Sequence, residues 1–413
     1  MLAVFVVSGR ASAQERGTAA LAQQVAGVGN TMRVLLIGAH PDDEDTQLIS
    51  WLTHGQHVET AYLALTRGDG GQNLIGNELG EALGVIRTAE LLEARRIDGA
   101  RQYFTRAYDF GFSKDTADTF RHWPKDSLLR DAVRVVRDFA PHVIVAIFSG
   151  TPRDGHGQHQ ASAIIAKEVW TAAADTIRFP VKQFGPAWTP LKFYRNARFY
   201  PGESTFRMNV GEYNAELGKS YFEIAAESRS QHKSQGFGAL QRKGVVWDYL
   251  TREETRAAAP ADARAEMSLF DGIDTSLNRF RTTTAGSCGE ANGQVDQISR
   301  TVAMLSSTPV ADRRPLVRRL TGISNAISGI QSSIPGSSAA WCAAYDLDAV
   351  KSWEVMQRRV SEALASATGL ELEALVGRPS AALGDTFTVT TRIHNRGQLT
   401  AKIRGGATGN GEW

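Results

Sequence analysis

Residues 33–39 read RVLLIGA and pass without a break into His40-Pro41-Asp42-Asp43-Glu44. An unbroken apolar run with β-branched content is the pattern of a strand buried on both faces, as in a parallel sheet. Two further runs end the same way. Residues 58–66 (VETAYLALT) lead into Arg67-Gly68-Asp69-Gly70-Gly71, and residues 142–148 (HVIVAIF) lead into a loop that reaches Gly155-His156-Gly157-Gln158-His159. Between the strand-like runs, residues 78–96 carry Leu79, Leu83, Ile86, Ala89, Leu91 and Leu92 at helical spacing, and residues 43–54 and 127–138 are compatible with helices. Alternating strands and helices predict a Rossmann-like parallel sheet with helices on both faces. In such sheets ligands bind outside the carboxyl ends of the strands, so all three polar clusters are expected on one side of the domain.

The chain of 413 residues is too long for one ordinary core. We divide it into a lead-in with a truncated signal-like segment (1–30), the α/β domain (31–250), an α-helical extension (251–370) and an incomplete β-rich segment (371–413). Helical spacing over 253–280 and 294–332 supports the extension. Alternation around Gly384-Asp385 and Asn395-Arg396-Gly397 resembles the start of a β-sandwich. The short apolar run before Ala11-Ser12-Ala13 resembles a signal-peptidase site, which implies export to a periplasmic or extracellular location, with a cytoplasmic one as the alternative. No stretch reaches the length of a spanning helix. Lys plus Arg number 46 against 44 Asp plus Glu, and this balance provides no field that would draw nucleic acid or an anionic membrane. The two cysteines, Cys288 and Cys342, lie outside any zinc-type spacing and cannot form a thiolate zinc site, and the sequence leaves open whether they pair in a disulfide.

The polar clusters bring together His40, Asp42, Asp43, His156 and His159. Three nitrogen or oxygen ligands with a fourth position open suit a hydrolytic zinc ion, and His40, Asp43 and His159 supply such a set. Coordination would lower the pKa of water and polarise an acyl carbonyl, which needs no activated Ser or Cys. Asp42, whose side chain should diverge from that of Asp43, suits a general base beside the ion. His156 could stabilise the tetrahedral oxyanion or donate a proton. Asp-Asp after a strand is more often a helix N-cap, and each residue alone would be read that way. Joint placement behind parallel strands favours the metal site. Dinucleotide binding is excluded by His-Pro-Asp-Asp where a GxGxxG loop would stand, and serine hydrolysis by the lack of a GxSxG elbow.

Ala39-His40-Pro41-Asp42-Asp43-Glu44, Thr66-Arg67-Gly68, residues 83–90 (LGVIRTAE) and His156-Gly157-Gln158-His159 together resemble the PIG-L (LmbE-like) deacetylases, over residues 33–240. Gln231-His232-Lys233-Ser234-Gln235 resembles a later element of the same family. The resemblance implies one zinc ion per chain, or another divalent metal, on His40, Asp43 and His159, with Asp42 as base and His156 at the oxyanion. Gln158 departs from the acidic residue many members carry before the last histidine. By the resemblance the partner is a small amino-sugar conjugate or glycan, and the reaction is loss of an N-acetyl group from an N-acetylglucosamine-type substrate. An amidase cleaving a larger acyl group or conjugate and a non-catalytic carbohydrate-binding protein are the alternatives. Arg67, Asp69 and Asn73, with Gln72, are candidate substrate contacts, against a plain glycine-rich turn. Arg87 and Glu90 are one turn apart and could pair on a helix face.

Overall fold

A computed structural model describes residues 17–282, 288–332, 342–343, 346–377 and 384–400. The signal-like segment before Gln14 lies outside them. Strands β1 (Arg33–Gly38), β2 (Glu59–Ala64), β3 (Arg101–Phe104), β4 (Val143–Ala146), β5 (Lys192–Asn196), β6 (Phe206–Asn209), a small hairpin of β7 (Tyr213–Asn214) and β8 (Lys219–Ser220), and β9 (Trp247–Thr255) form the α/β domain. Helix α1 (Gly17–Gly27) precedes it, and its own helices are α2 (Thr46–Ser50), α3 (Glu81–Asp98), α4 (Thr116–His122), α5 (Lys125–Phe139), α6 (Gly157–Ala172), α7 (Val181–Phe184) and α8 (Tyr221–Arg229). The remaining elements are α9 (Gly289–Ser306), α10 (Arg313–Ser332), α11 (Leu347–Thr368), β10 (Leu370–Val376) and β11 (Val389–Asn395).

The main sheet has the order β3-β2-β1-β4-β5-β9-β6. Neighbours from β3 to β5 are parallel, whereas β9 runs antiparallel to both β5 and β6. The expected parallel sheet is therefore a mostly parallel mixed one. Every residue of β1 is buried because the strand feeds two cores. Leu35 and Ile37 pack with α5 and α6 residues such as Val133 and Ile165, while Val34 and Leu36 pack on the other face with Leu48, Ile49, Leu91 and Phe222.

The helical expectation over 253–280 is corrected. β9 extends to Thr255, and the stretch beyond it holds only short 3-10 turns at Ala263–Ala265 and Leu277–Phe280. Tertiary contacts override the periodicity there: Arg252 and Lys192 both pair with the buried Glu266 at 2.8 and 2.7 Å, which ties the segment to the sheet. The boundary drawn at 250 thus falls inside a strand.

Helices α9, α10 and α11, together with α1, share a separate core around Trp353, Ile323 and Val295. Cys288 and Cys342 form a disulfide, with Cα atoms 5.8 Å apart, beside that core. This bundle docks on the amino ends of the strands through polar contacts. Asp348 of α11 accepts from Arg33 at 2.6 Å and Arg279 at 2.8 Å, and lies 3.0 Å from His142. Glu59, the first residue of β2, accepts from Arg101, Arg358 and Arg359. Past α11, β10 and β11 pair antiparallel as an exposed hairpin; residues 401–413 of the β-rich segment lie outside the described residues. No helix among the described residues is long and apolar enough to cross a membrane.

Candidate active site

The carboxyl end of β1 is shaped by a close approach. A Cβ at Gly38 would stand 2.5 Å from the Tyr62 hydroxyl and 3.2 Å from Asp43 Cβ, so the chain passes where no side chain fits. Tyr62 uses that hydroxyl to donate to the His40 carbonyl at 2.6 Å. Asp43 folds back over the turn and its Oδ2 accepts from the amides of Ala39 and His40 at 3.1 and 2.7 Å. Helix α2 is capped by Asp45, which accepts from the amides of Gln47 and Leu48, so Asp42 and Asp43 are not its caps.

The second half of the site comes from the loop after β4. His156 occupies the N-cap position of α6, and His159 lies in its first turn. His159 donates Nδ1–H to the Asp154 carbonyl at 2.9 Å, which fixes the ring and turns Nε2 towards Asp43 Oδ1 at 3.2 Å. Phe148 stacks on the same ring at 3.9 Å. His40 donates Nδ1–H to Asp43 Oδ2 at 3.2 Å. His40, His156 and His159 can each offer a ligand atom within 4.8 Å of the others. The structure therefore gathers four donors: three imidazoles and a carboxylate that already touches two of them. A cation fits this set, since nitrogen and carboxylate oxygen donors converge at one point.

The electrostatics agree with the packing. Burial alone would raise the Asp43 carboxyl, yet His159 and His40 hold it well below the usual carboxylate range. Burial opposes protonation of His159, and Asp43 outweighs it, so its pKa rises. His156 is pushed down by burial and then by repulsion from His159 and His40. Its Nδ1–H donates to Gln158 Oε1 at 2.8 Å, so a neutral amide orients this ring at the position where the family resemblance leads one to expect a carboxylate. Gln158 is itself held by the amide and hydroxyl of Ser113.

A second layer explains motifs the sequence left open. Arg87 does not pair with Glu90 along α3. Its guanidinium crosses to Asp42 Oδ1 at 2.5 Å and donates to the Gly68 carbonyl at 3.1 Å. A Cβ at Gly68 would stand 2.3 Å from Arg87 Nη1, so this glycine makes room for the arginine. Glu90 instead accepts from the Ser234 amide and hydroxyl at 2.7 and 2.6 Å. His232 is fully buried and meets Glu44 at 2.7 Å, with Arg95 at 3.4 Å from the same carboxylate. Asp109, which the sequence reading did not single out, lies 3.8 Å from His40 Nε2.

A cleft of about 450 Å³ opens beside these residues, lined by Asp42, Asp43, Phe148, His159, Arg198 and Arg229 among others. None of Arg67, Asp69, Gln72 and Asn73 lines it. Arg67 lies over the Phe104 ring and donates to Thr88. Asn73 closes its own turn on Ile75 and Glu78, and the Gln72 carbonyl accepts from Gln235. Asp69 is buried, its carboxylate 2.0 Å from where a Cβ on Gly84 would be. Arg198 and Arg229 were missed because one follows β5 and the other ends α8, far along the chain, with no local pattern to mark them.

The fold and these donors define a mostly parallel α/β domain with a metal-type His/Asp centre at the carboxyl ends of its central strands. Residues 35–170 match the family profile described as PIG-L, GlcNAc-PI de-N-acetylase, and over that stretch the domain is similar to the PIG-L family. The chain is 28% identical over 187 residues to a mycothiol S-conjugate amidase of Streptomyces coelicolor, covering 41% of this chain and 61% of that one. It is 25% identical over 298 residues to 1D-myo-inositol 2-acetamido-2-deoxy-alpha-D-glucopyranoside deacetylase 2 of Frankia casuarinae, covering 59% and 94%. The 1D-myo-inositol 2-acetamido-2-deoxy-alpha-D-glucopyranoside deacetylase of Rhodococcus opacus is 32% identical over 183 residues, covering 39% and 60%. The chain thus spans less than two thirds of the first and third relatives.

Proposed function

We propose that the protein is a metal-dependent N-deacetylase acting on an acetamido-sugar conjugate, with zinc as the ion. The observation that carries this reading is the convergence of His40, Asp43 and His159 with Asp42 and His156 at one sheet edge. The names of the deacetylase and amidase relatives support the reaction class.

His40, Asp43 and His159 would hold the ion, which when bound supplies Lewis-acid polarisation of the acyl carbonyl and activation of water. Asp42 takes the water proton. One of its oxygens is held by Arg87, the other has no hydrogen bond among the described residues, and the side chain lines the cleft. Arg87 keeps the carboxylate aimed. His156 stands beside the ligands. Its protonated form, disfavoured by burial and by the neighbouring imidazoles until charge builds on the carbonyl oxygen, would steady that oxygen through Nε2–H while Nδ1–H stays on Gln158. The proton that Asp42 took from water goes to the departing amine. Phe148 and Ile147 wall off water from that side.

A second ligand set, with His156 replacing Asp43, is favoured by the mutual approach of the three imidazoles. The two sets predict opposite results in metal analysis: Asp43→Asn loses the ion and His156→Gln retains it in the first set, and the reverse holds in the second. The reaction itself is tested by incubating acetamido-sugar conjugates with metal-loaded protein and identifying the acid released. Acetate supports the deacetylase, and a larger acid moves the assignment to the amidase. A metal-loaded protein that releases no acid from any conjugate contradicts both. We also propose an oxidising, extracytoplasmic location, for which the Cys288–Cys342 disulfide is the supporting observation. Recovery of the mature chain from the cytoplasm with both thiols free would contradict it.

A further inference from the structure

Four arginines stand in the wall of the cleft, and their pairing divides them into two kinds. Arg153 grips Glu203 with both Nη atoms at 2.6 and 2.9 Å. Arg195 donates to Glu253 at 2.9 Å and to Glu203 at 3.0 Å. These two have their charge matched by fork-like contacts and serve as wall. Arg198 and Arg229 differ. Among the described residues Arg198 has one carboxylate within ion-pair range, Asp45 at 3.6 Å, which is beyond hydrogen-bond length. Asp45 is already satisfied by the amides of Gln47 and Leu48 and by the side-chain amide of Asn196. Arg229 gives one Nη hydrogen to the Asp42 carbonyl and otherwise lies 3.6 Å from Glu44, a carboxylate shared with His232 and Arg95.

A guanidinium has five donors, so both side chains keep most of theirs for the cleft they line. Phe148, Phe199 and Tyr200 form the apolar part of the same wall, and a charge contact made against such a surface is stronger than one in open water. The cleft also holds Asp42 and Asp43, which places the two arginines in the same cavity as the reacting centre.

We propose that Arg198 and Arg229 form an anion subsite that receives a carboxylate or phosphate on the amine-bearing part of the substrate. Its place in turnover rests on the hydrolase reading above; its capacity to bind an anion does not. A planar guanidinium fork matches the paired oxygens of either group, which a lysine would meet only as a point charge.

The test separates the two claims. Inorganic phosphate is titrated calorimetrically into chelator-stripped wild type, Arg198→Gln and Arg198→Lys, each shown to melt cooperatively. In parallel, kcat/KM is compared for N-acetylglucosamine 6-phosphate and N-acetylglucosamine with the zinc-loaded proteins. We expect one phosphate per stripped wild-type chain, affinity at least about tenfold weaker in Arg198→Gln with the lysine variant between, and a matching fall in the preference for the phosphorylated sugar. Should Arg198→Gln fail to fold, Arg229→Lys, which keeps its charge beside Glu44 but loses the fork, must weaken phosphate in the same way. Equal phosphate affinity in wild type and variants, or no binding to stripped wild type, overturns the subsite. Arg198-dependent phosphate binding by a protein that hydrolyses neither sugar upholds the subsite and removes the hydrolase reading.

Discussion

Asp42 shows how much of a catalytic assignment one residue's surroundings can carry. Its Oδ1 is fixed by Arg87 at 2.5 Å, so the geometry of the proposed base depends on a residue of α3, 45 positions away. We expect Asp42→Asn to retain the metal while turnover falls by about two to four orders of magnitude, the usual worth of a positioned base. Metal analysis beside steady-state rates checks this, and loss of the ion would move Asp42 into the ligand set. Arg87→Met should lower kcat at least about tenfold with KM little changed, because the base stays present but is no longer aimed. A change confined to KM would make Arg87 a binding residue. At this scale the motif residues were readable because each cluster is contiguous and follows a strand. Arg87 was readable as helical but not as the partner of Asp42, since only the fold brings α3 over the first turn. Arg198 and Arg229 left no mark in the sequence, because an arginine after a strand or at a helix end is ordinarily solvated.

Among the elements, β1 was legible from its uninterrupted apolar run, and the structure gives the reason in the two cores it feeds. The short β3 and β5 (RQYF and KFYRN) carry too many polar residues to announce themselves, although β5 is entirely buried. Strand β9 reads WDYLTREET, and its charged positions are spent on Glu266 and Arg195, partners that no local window contains. The turn from β1 into the site gives this scale its prediction. Gly38→Ala must displace the Tyr62 ring or the Asp43 side chain, and overpacking of this kind costs about 1–3 kcal/mol. We expect a lower melting temperature together with weakened metal retention, as Tyr62 anchors the His40 carbonyl. Unchanged metal content in a destabilised variant would show that the loop holds its geometry without that anchor.

In the whole molecule, the helical bundle and the His/Asp cluster lie at opposite ends of the strands. Arg33, Glu59 and His142, which meet α11 or its neighbours, precede or begin β1, β2 and β4, whereas the metal-type cluster follows β1 and β4. The docking contacts are sensitive to acid. Glu59, although burial would raise it, is drawn down to about 2 by Arg358, Arg101 and Arg359. A carboxyl lowered on folding stabilises the native state above its unfolded value near 4.5, and that contribution fades as pH falls towards 2. His142 is lowered to about 4 by burial and by Arg33, so the folded state resists its protonation and loses stability as pH falls from about 6.5 to 4. Stability should therefore decline in two stages on acidification, and Glu59→Gln should flatten the lower one. A Glu59→Gln protein with the wild-type slope below pH 4.5 would contradict this. Removing the disulfide, which closes a 54-residue separation, should cost about 2–4 kcal/mol, felt first by the bundle.

The α/β core and the helices within 294–332 were visible in the sequence as periodicity, while the docking interface was not, because its ion pairs join residues about 200 to 300 positions apart.

On the proposed reading, a metal ion held by His40, Asp43 and His159 makes this chain an N-deacetylase. The measurement that decides it is acetate release from N-acetylglucosamine conjugates, followed in the purified protein before chelation, after it, and after stoichiometric zinc is returned. The expected result is release that chelation abolishes and zinc restores in wild type but not in His159→Ala. Release that persists in the metal-free protein, or that His159→Ala retains in full, would contradict it.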